Sequence, residues 1–152
     1  MNLPIDPLLF TVFGFVVLIL GLKALLLGAA TAATRGRIKQ FLNPEDAAWL
    51  GGVHITPDAE PVARIGRTHR NDLENLLLFA TAGALYVSSG ASQFAGLVYC
   101  GLFLFARLLH SFAYLSAWPR LRRYAYTAGL TVIAVMSIHA GIALVQLYER
   151  SP

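Results

Sequence analysis

A polar stripe opens the second long apolar segment of the chain, and its residue types suit ligand binding. Four residues there are spaced i, i+3, i+4 and i+7: Arg67, Arg70, Asn71 and Glu74. On a helix this spacing places them on one face. Arginine matches the two oxygens of a carboxylate, asparagine donates and accepts hydrogen bonds, and glutamate accepts from an ammonium group. The stripe therefore suits a small molecule with carboxylates and an amine. A salt-bridged helix end at the water boundary is the alternative.

A second polar face is expected in the third apolar segment. Arg107, His110 and Tyr114 are spaced i, i+3 and i+7, which again places them on one side of a helix. His110 could contact a ligand or be an interior histidine with a hydrogen bond. No metal site is expected, because the segment has no second histidine four residues away and no carboxylate. His139, in the fourth segment, is interpreted as a packing or interhelical hydrogen-bonding residue.

The fourth apolar segment begins with a basic turn that contains Arg122, Arg123 and Tyr126. A guanidinium favours a nearby anion, so it lowers the pKa of a neighbouring thiol and raises the thiolate fraction. These arginines could therefore activate a thiol. The alternative is that they anchor the helix at a membrane surface, as basic residues commonly do.

The composition indicates a membrane protein. The chain has 152 residues, 57% of them hydrophobic and 13% charged, with a mean hydropathy of +0.61, whereas soluble domains have about 25% charged residues. This length accommodates about four spans of roughly 20 residues. The net charge of +4 is modest, and no basic run with interleaved aromatic residues favours nucleic-acid binding. The single cysteine, Cys100, excludes an intrachain disulfide.

We therefore expect an all-α, four-helix membrane bundle that forms a single domain over residues 1–152. The four predicted spans are residues 8–34, 62–88, 93–117 and 121–147. The N-terminal stretch before the first span has no Lys or Arg, so that span is interpreted as retained and not as a cleaved signal peptide. Its one charge, Lys23, could extend to the headgroup region or face the bundle interior.

The long polar connection between the first two spans contains a predicted short helix. Asn43 is the expected N-cap, followed by Pro44 and two acidic residues in the first turn. The helix should pass through Leu50 and stop at residues 51–52, a pair of glycines. Residues 53–61 are expected to be irregular.

The distribution of Lys and Arg predicts the orientation. The connections after the first and third spans hold most of the basic residues, and the turn after the second span has none. The positive-inside rule then places both basic connections in the cytoplasm. All four spans bring polar residues to that same side, which predicts a shared site there.

Three motifs resemble those of the MAPEG family, the membrane-associated proteins in eicosanoid and glutathione metabolism. They are NPED at residues 43–46, RTHRNDLEN at 67–75 and RLLHSFAYL at 107–115. The similarity extends from Lys23 to about Gly129 and is strongest to the branch of microsomal glutathione transferases and prostaglandin E synthases. It implies a homotrimer that binds glutathione between neighbouring subunits near the cytoplasmic face, with a lipophilic co-substrate arriving from the membrane lipid.

The resemblance also implies roles for individual residues. By matching position, the residues that would contact glutathione are Arg35, Arg70, Asn71, Glu74, His110, Tyr114, Arg122 and Tyr126. Arg67 and Arg107 would support those contacts. Arg122 would hold the thiolate, and Asp46 matches an acid proposed to act in the prostaglandin synthase reaction.

One departure bears on the reaction. Prostaglandin E synthases have a serine directly after the thiolate-binding arginine, where this chain has Arg123. The connection before it is one residue shorter, so Arg123 is an alternative to Arg122 as the thiolate partner. The expected activity is glutathione transfer to hydrophobic electrophiles or reduction of lipid hydroperoxides. A prostaglandin-E-synthase-like isomerase and a non-enzymatic fatty-acid-binding adaptor are the alternatives. The membrane would be the endoplasmic reticulum in a eukaryote or the inner membrane in a bacterium.

Overall fold

Four long helices form the body of the protein. The computed structural model describes residues 5–150, and in this range the elements are α1 (Pro7–Ile38), β1 (Gln40–Phe41), α2 (Pro44–Leu50), β2 (Val53–His54), α3 (Glu60–Ser88), α4 (Gln93–Leu115) and α5 (Pro119–Glu149). Residues 1–4, which belong to the N-terminal stretch without Lys or Arg, and residues 151–152 lie outside the described range. The prediction of an all-α bundle is confirmed, and each predicted span falls on one long helix. We call the end where α1 ends and α3 begins the basic end.

The first helix is fixed at both ends by local chemistry. Asp6 caps it by accepting a hydrogen bond from the backbone N–H of Leu9 at 2.8 Å and another from the side chain of Gln93 at 2.9 Å. These two hydrogen bonds hold the pKa of Asp6 below its ordinary value. At the other end Lys39 adopts a left-handed conformation (φ 56°, ψ 37°) and its N–H bonds to the carbonyl of Arg35, which ends the helix.

The connection between α1 and α3 is more ordered than the sequence indicates. The predicted short helix is present as α2, and Gly51 ends it with a positive φ of 65°. Asn43 occupies the N-cap position, but its side chain makes no capping hydrogen bond and instead donates to Asp46 at 2.9 Å. The prediction that residues 53–61 are irregular is wrong in part, because β2 pairs with β1 in parallel and α3 begins at Glu60. Two-residue strands are too short to show the alternation that identifies a strand.

Aromatic stacking and small residues hold the bundle together. The rings of Phe79 on α3 and Phe103 on α4 are fully buried and stack with centroids 4.0 Å apart. Helix α1 approaches α3 closely at Gly83, where a Cβ would overlap the ring of Phe13. Such contacts allow little change in side-chain volume.

Three of the long helices are apolar enough to cross a membrane. Within residues 5–150, length and composition identify α1, α4 and α5 as candidate spans. Many of their large apolar side chains point outward, including Leu25, which is 71% exposed, and Ile138, which is 65% exposed. The first half of α3 is rich in charged residues, and α3 is not among these candidate spans.

Candidate functional site

A buried network of charges connects three helices. The guanidinium of Arg107 on α4 contacts the carboxylate of Asp72 on α3 at 2.5 Å. The other oxygen of Asp72 accepts from Lys23 on α1 at 2.9 Å and from Ser111 on α4 at 3.0 Å. Lys23 also donates to the backbone carbonyl of Arg107 at 2.9 Å and to the hydroxyl of Ser111 at 2.8 Å. We call Lys23, Asp72, Arg107 and Ser111 the buried network.

The buried network decides between the alternatives for Lys23 and adds residues that sequence reasoning missed. Lys23 faces the bundle interior, so the interpretation that it extends to the headgroups is wrong. Neither Asp72 nor Ser111 was among the candidate residues. The sequence nevertheless contains an indication of the role of Asp72. A lysine inside an apolar helix generally pairs with a carboxylate, and the long helices contain few carboxylates that could pair with Lys23.

The stripe predicted on α3 is present, and its members have different partners. The side chain of Arg67 is 47% exposed and donates to Glu60, about two helical turns earlier, at 2.8 Å. The side-chain oxygen of Asn71 accepts from Arg107 at 2.8 Å. Arg70 and Glu74 are exposed and form no salt bridge with any residue from 5 to 150. Within the described residues, one guanidinium and one carboxylate on adjacent turns are thus available to a ligand.

Residues from α4 and α5 form an aromatic and cationic cluster at the basic end. The guanidinium of Arg122 lies over the ring of Tyr114, 4.5 Å from its centroid. The ring of His110 is 5.6 Å from Tyr114 and 6.1 Å from Tyr126, centroid to centroid. His110 is buried, and its Nδ1 has no hydrogen-bond partner among the described residues. Four of the predicted site residues are therefore neighbours.

A cavity of about 180 Å³ joins the start of α3 to the start of α5. Its lining comprises Glu60, Arg64, Arg67, Tyr114, Ala117, Pro119 and Arg122. Hydrogen bonds that Arg64 and Arg67 donate to Glu60 hold the pKa of that exposed carboxylate below its ordinary value. Three guanidiniums around one small cavity make it suitable for an anionic group.

Three predicted site residues lie apart from this cluster. The guanidinium of Arg35 donates two hydrogen bonds to the carboxylate of Asp58, at 3.0 and 2.6 Å. Asp46 lies on α2 beside Asn43. Arg123 lines a separate cavity with Arg120. Between the two candidates for the thiolate partner, Arg122 is the one beside Tyr114.

The opposite end of the bundle has a larger cavity of about 470 Å³ between the α3–α4 turn and the end of α5. It contains none of the residues predicted for the site. His139 lines it and bonds to the hydroxyl of Tyr99 at 3.3 Å, which confirms the predicted interhelical hydrogen bond. The predicted site residues therefore lie outside this cavity.

Comparisons with known proteins identify the family of this chain. Residues 13–142 match the MAPEG family. The chain is 37% identical over 120 residues to microsomal glutathione S-transferase 1 of Rattus norvegicus, which covers 76% of this chain and 77% of the relative. It is 35% identical over 123 residues to the Homo sapiens protein of the same name, covering 78% and 79%. It is also 33% identical over 121 residues to prostaglandin E synthase of Equus caballus, covering 79% of both chains.

Proposed function

The chain belongs to the MAPEG family and is an integral membrane protein, and we propose that it is an enzyme that activates the thiol of glutathione. The activated thiolate would attack a hydrophobic electrophile or reduce a lipid hydroperoxide. The names of its relatives support glutathione as the co-substrate. The observation that carries the proposal is the outward face of α3, where Arg70 and Glu74 are exposed without an ionic partner in the described chain.

The chemistry of this face matches glutathione. The tripeptide has two carboxylates, one ammonium group and one thiol. Arg70 provides a fork of donors for a carboxylate. Glu74, one turn further, can accept from the ammonium group. The amide of Asn71, three residues before Glu74, borders this face.

Arg122 is the proposed partner of the thiolate. A cation close to a thiol favours the charged form and lowers the thiol pKa by about 1–3 units. The contact of Arg122 with the face of Tyr114 at 4.5 Å restricts where its guanidinium can go. A held cation stabilises an anion better than a mobile one because less side-chain freedom is lost on binding.

The site would be completed by a second copy of the chain. Because Arg70 and Glu74 point away from the bundle that carries them, a ligand on this face is exposed to solvent or lipid unless another subunit covers it. We propose a homotrimer with glutathione held between neighbouring subunits at the cytoplasmic side. The lipophilic substrate would enter from the bilayer, along the outward apolar faces of the helices.

A thiolate absorbance measurement tests the proposal. Glutathione added to the purified protein should produce the ultraviolet difference band of a thiolate at neutral pH. Arg122→Ala should reduce this band about tenfold or more and should slow the reaction with a chlorinated nitrobenzene. Arg120→Ala is the matched control, because Arg120 is exposed and lines a separate cavity. Full activity in Arg122→Ala would contradict the role of Arg122.

A second candidate is an isomerase that acts on an endoperoxide. The similarity to prostaglandin E synthase supports it. Arg123 in place of the expected serine weighs against it. Incubation with an endoperoxide and, separately, with a panel of electrophiles separates the two reactions by their products. A fatty-acid-binding adaptor would show no heat of binding when titrated with glutathione.

A further inference from the structure

The orientation of one amide in the site is fixed by the protein. Arg107 donates to the side-chain oxygen of Asn71 at 2.8 Å. A guanidinium has only donors, so Asn71 must present its oxygen to Arg107 and its NH₂ group elsewhere. Among residues 5–150, this NH₂ group has no hydrogen-bond partner. Asn71 is half-buried, and its NH₂ nitrogen is not among the fully buried unpartnered atoms of the described residues, so this group stays partly accessible on the side of α3 that Asn71 shares with Glu74.

Arg107 is itself held by the buried network. The residue is 1% exposed, and one nitrogen of its guanidinium bonds to both Asn71 and Asp72. Asp72 is kept in place by Lys23 from α1 and by Ser111 from α4. A shift of Lys23 or Ser111 would therefore move the carboxylate, then the guanidinium, and finally the amide of Asn71.

Helix packing alone is a poor explanation for this arrangement. Moving charges out of water is expensive, and a buried ion pair often contributes no more stability than apolar side chains of similar volume. The network also has two cations and one carboxylate, a formal charge of +1, at the level of the α3 stripe. Charged residues at such depth within a membrane protein generally mark a functional site.

We propose that Lys23, Asp72 and Ser111 are positioning residues of the glutathione site. Acting through Arg107, they commit Asn71 to donate hydrogen bonds to an acceptor oxygen of the ligand, a carboxylate or a carbonyl. None of the three needs to touch glutathione. This inference rests on the proposed function, because it concerns the same site.

A double-mutant cycle between Lys23 and Asn71 tests the inference. The dissociation constant of glutathione is measured by calorimetry for the wild type, Lys23→Met, Asn71→Ala and the double variant. Losing a hydrogen bond to a charged ligand group weakens binding about tenfold, so each single variant should bind about tenfold more weakly. The double variant should be no more than about twofold weaker than Asn71→Ala, since both changes remove the same contact.

Lys39→Met is the matched control, because the side chain of Lys39 is exposed and, among the described residues, bonds only to the backbone carbonyl of Leu50. It should bind glutathione like the wild type. Ser111→Ala removes only a hydroxyl and repeats the comparison if Lys23→Met fails to fold; we expect binding about threefold weaker. Here again the loss should vanish in the Asn71→Ala background.

The outcomes separate this inference from the proposed function. A wild-type protein that does not bind glutathione refutes the proposed function itself. A wild-type protein that binds while Lys23→Met and Ser111→Ala bind equally well refutes only the positioning role. Independent losses that multiply to about a hundredfold in the double variant also overturn it, because Lys23 would then act without Asn71.

Discussion

Replacing Asp72 with asparagine should strongly destabilise the fold. The substitution keeps the size of the side chain and removes its charge. Lys23 and Arg107, which contact the two carboxylate oxygens of Asp72, would then remain as neighbouring cations without a counter-charge. An asparagine can offer only one oxygen in their place and would direct an NH₂ group toward the other cation.

The magnitude follows from the burial of the pair. The side chains of Arg107 and Asp72 are 2% and 4% exposed, so water does not screen the remaining charges. Removing one partner of a buried ion pair costs about 3–5 kcal/mol. At about 1.4 kcal/mol per factor of ten, the unfolded population should rise roughly a hundredfold to a few thousandfold.

The measurement is unfolding by sodium dodecyl sulfate in mixed micelles, followed by circular dichroism. Asp58→Asn is the matched control. The partner of Asp58, Arg35, approaches at a similar distance, 2.6 Å, but the side chains of Arg35 and Asp58 are 28% and 16% exposed. We expect the free energy of unfolding of Asp58→Asn to fall by about 1 kcal/mol or less. Equal losses in the two variants, or an Asp72→Asn protein as stable as the wild type, would refute the argument from burial.

Three further predictions concern other parts of the protein. Gly83→Ala should lower the free energy of unfolding by about 1–3 kcal/mol in the same titration, because the new methyl group overlaps the ring of Phe13. The control, Gly101→Ala, should not lower it, because nothing lies within 4 Å of the Cβ position of Gly101. Equal stability of the two variants would contradict the close approach of α1 to Gly83. Asp6→Ala should lower the unfolding midpoint, because the acceptor that caps α1 is lost. The carboxylate of Asp6 has a lowered pKa in the folded protein. Its contribution to stability is therefore fully present above the ordinary pKa of 3.8 and is lost as the pH falls through the lowered value. A difference in unfolding midpoint between the wild type and Asp6→Ala that persists at the lowest pH would count against this. Glutathione at a hundred times its dissociation constant should stabilise the wild type by about 2.7 kcal/mol, and Glu74→Gln should be stabilised less at the same concentration; equal stabilisation would remove Glu74 from the site.

The sequence predicts the elements well because their signals are local. Long apolar runs bounded by proline, glycine and basic residues place four helices close to their observed bounds. The short helix α2 follows from Pro44 and the glycine after Leu50. The stripe of Arg67, Arg70, Asn71 and Glu74 follows from helical spacing alone.

The sequence does not predict which polar residues pair with each other. Lys23 and Asp72 are 49 positions apart in the chain, and only the packing of α1 against α3 brings them together. For the same reason Arg35 meets Asp58, a pairing that no spacing indicates. Within the stripe, Asn71 bonds to Arg107 of another helix, whereas Arg70 and Glu74 have no ionic partner among the described residues. Helical spacing alone does not indicate this difference.

The uneven polarity of α3 has a consequence for biogenesis. By length and composition, the three other long helices are candidates to span a bilayer, whereas α3 would carry the carboxylate of Asp72 into lipid without the two cations that contact it. Lys23 is supplied by α1 and Arg107 by α4, and α4 follows α3 after a turn of only a few residues. We therefore expect the insertion machinery to hold α1 until α3 and α4 have been made, and to release the three helices into the lipid together.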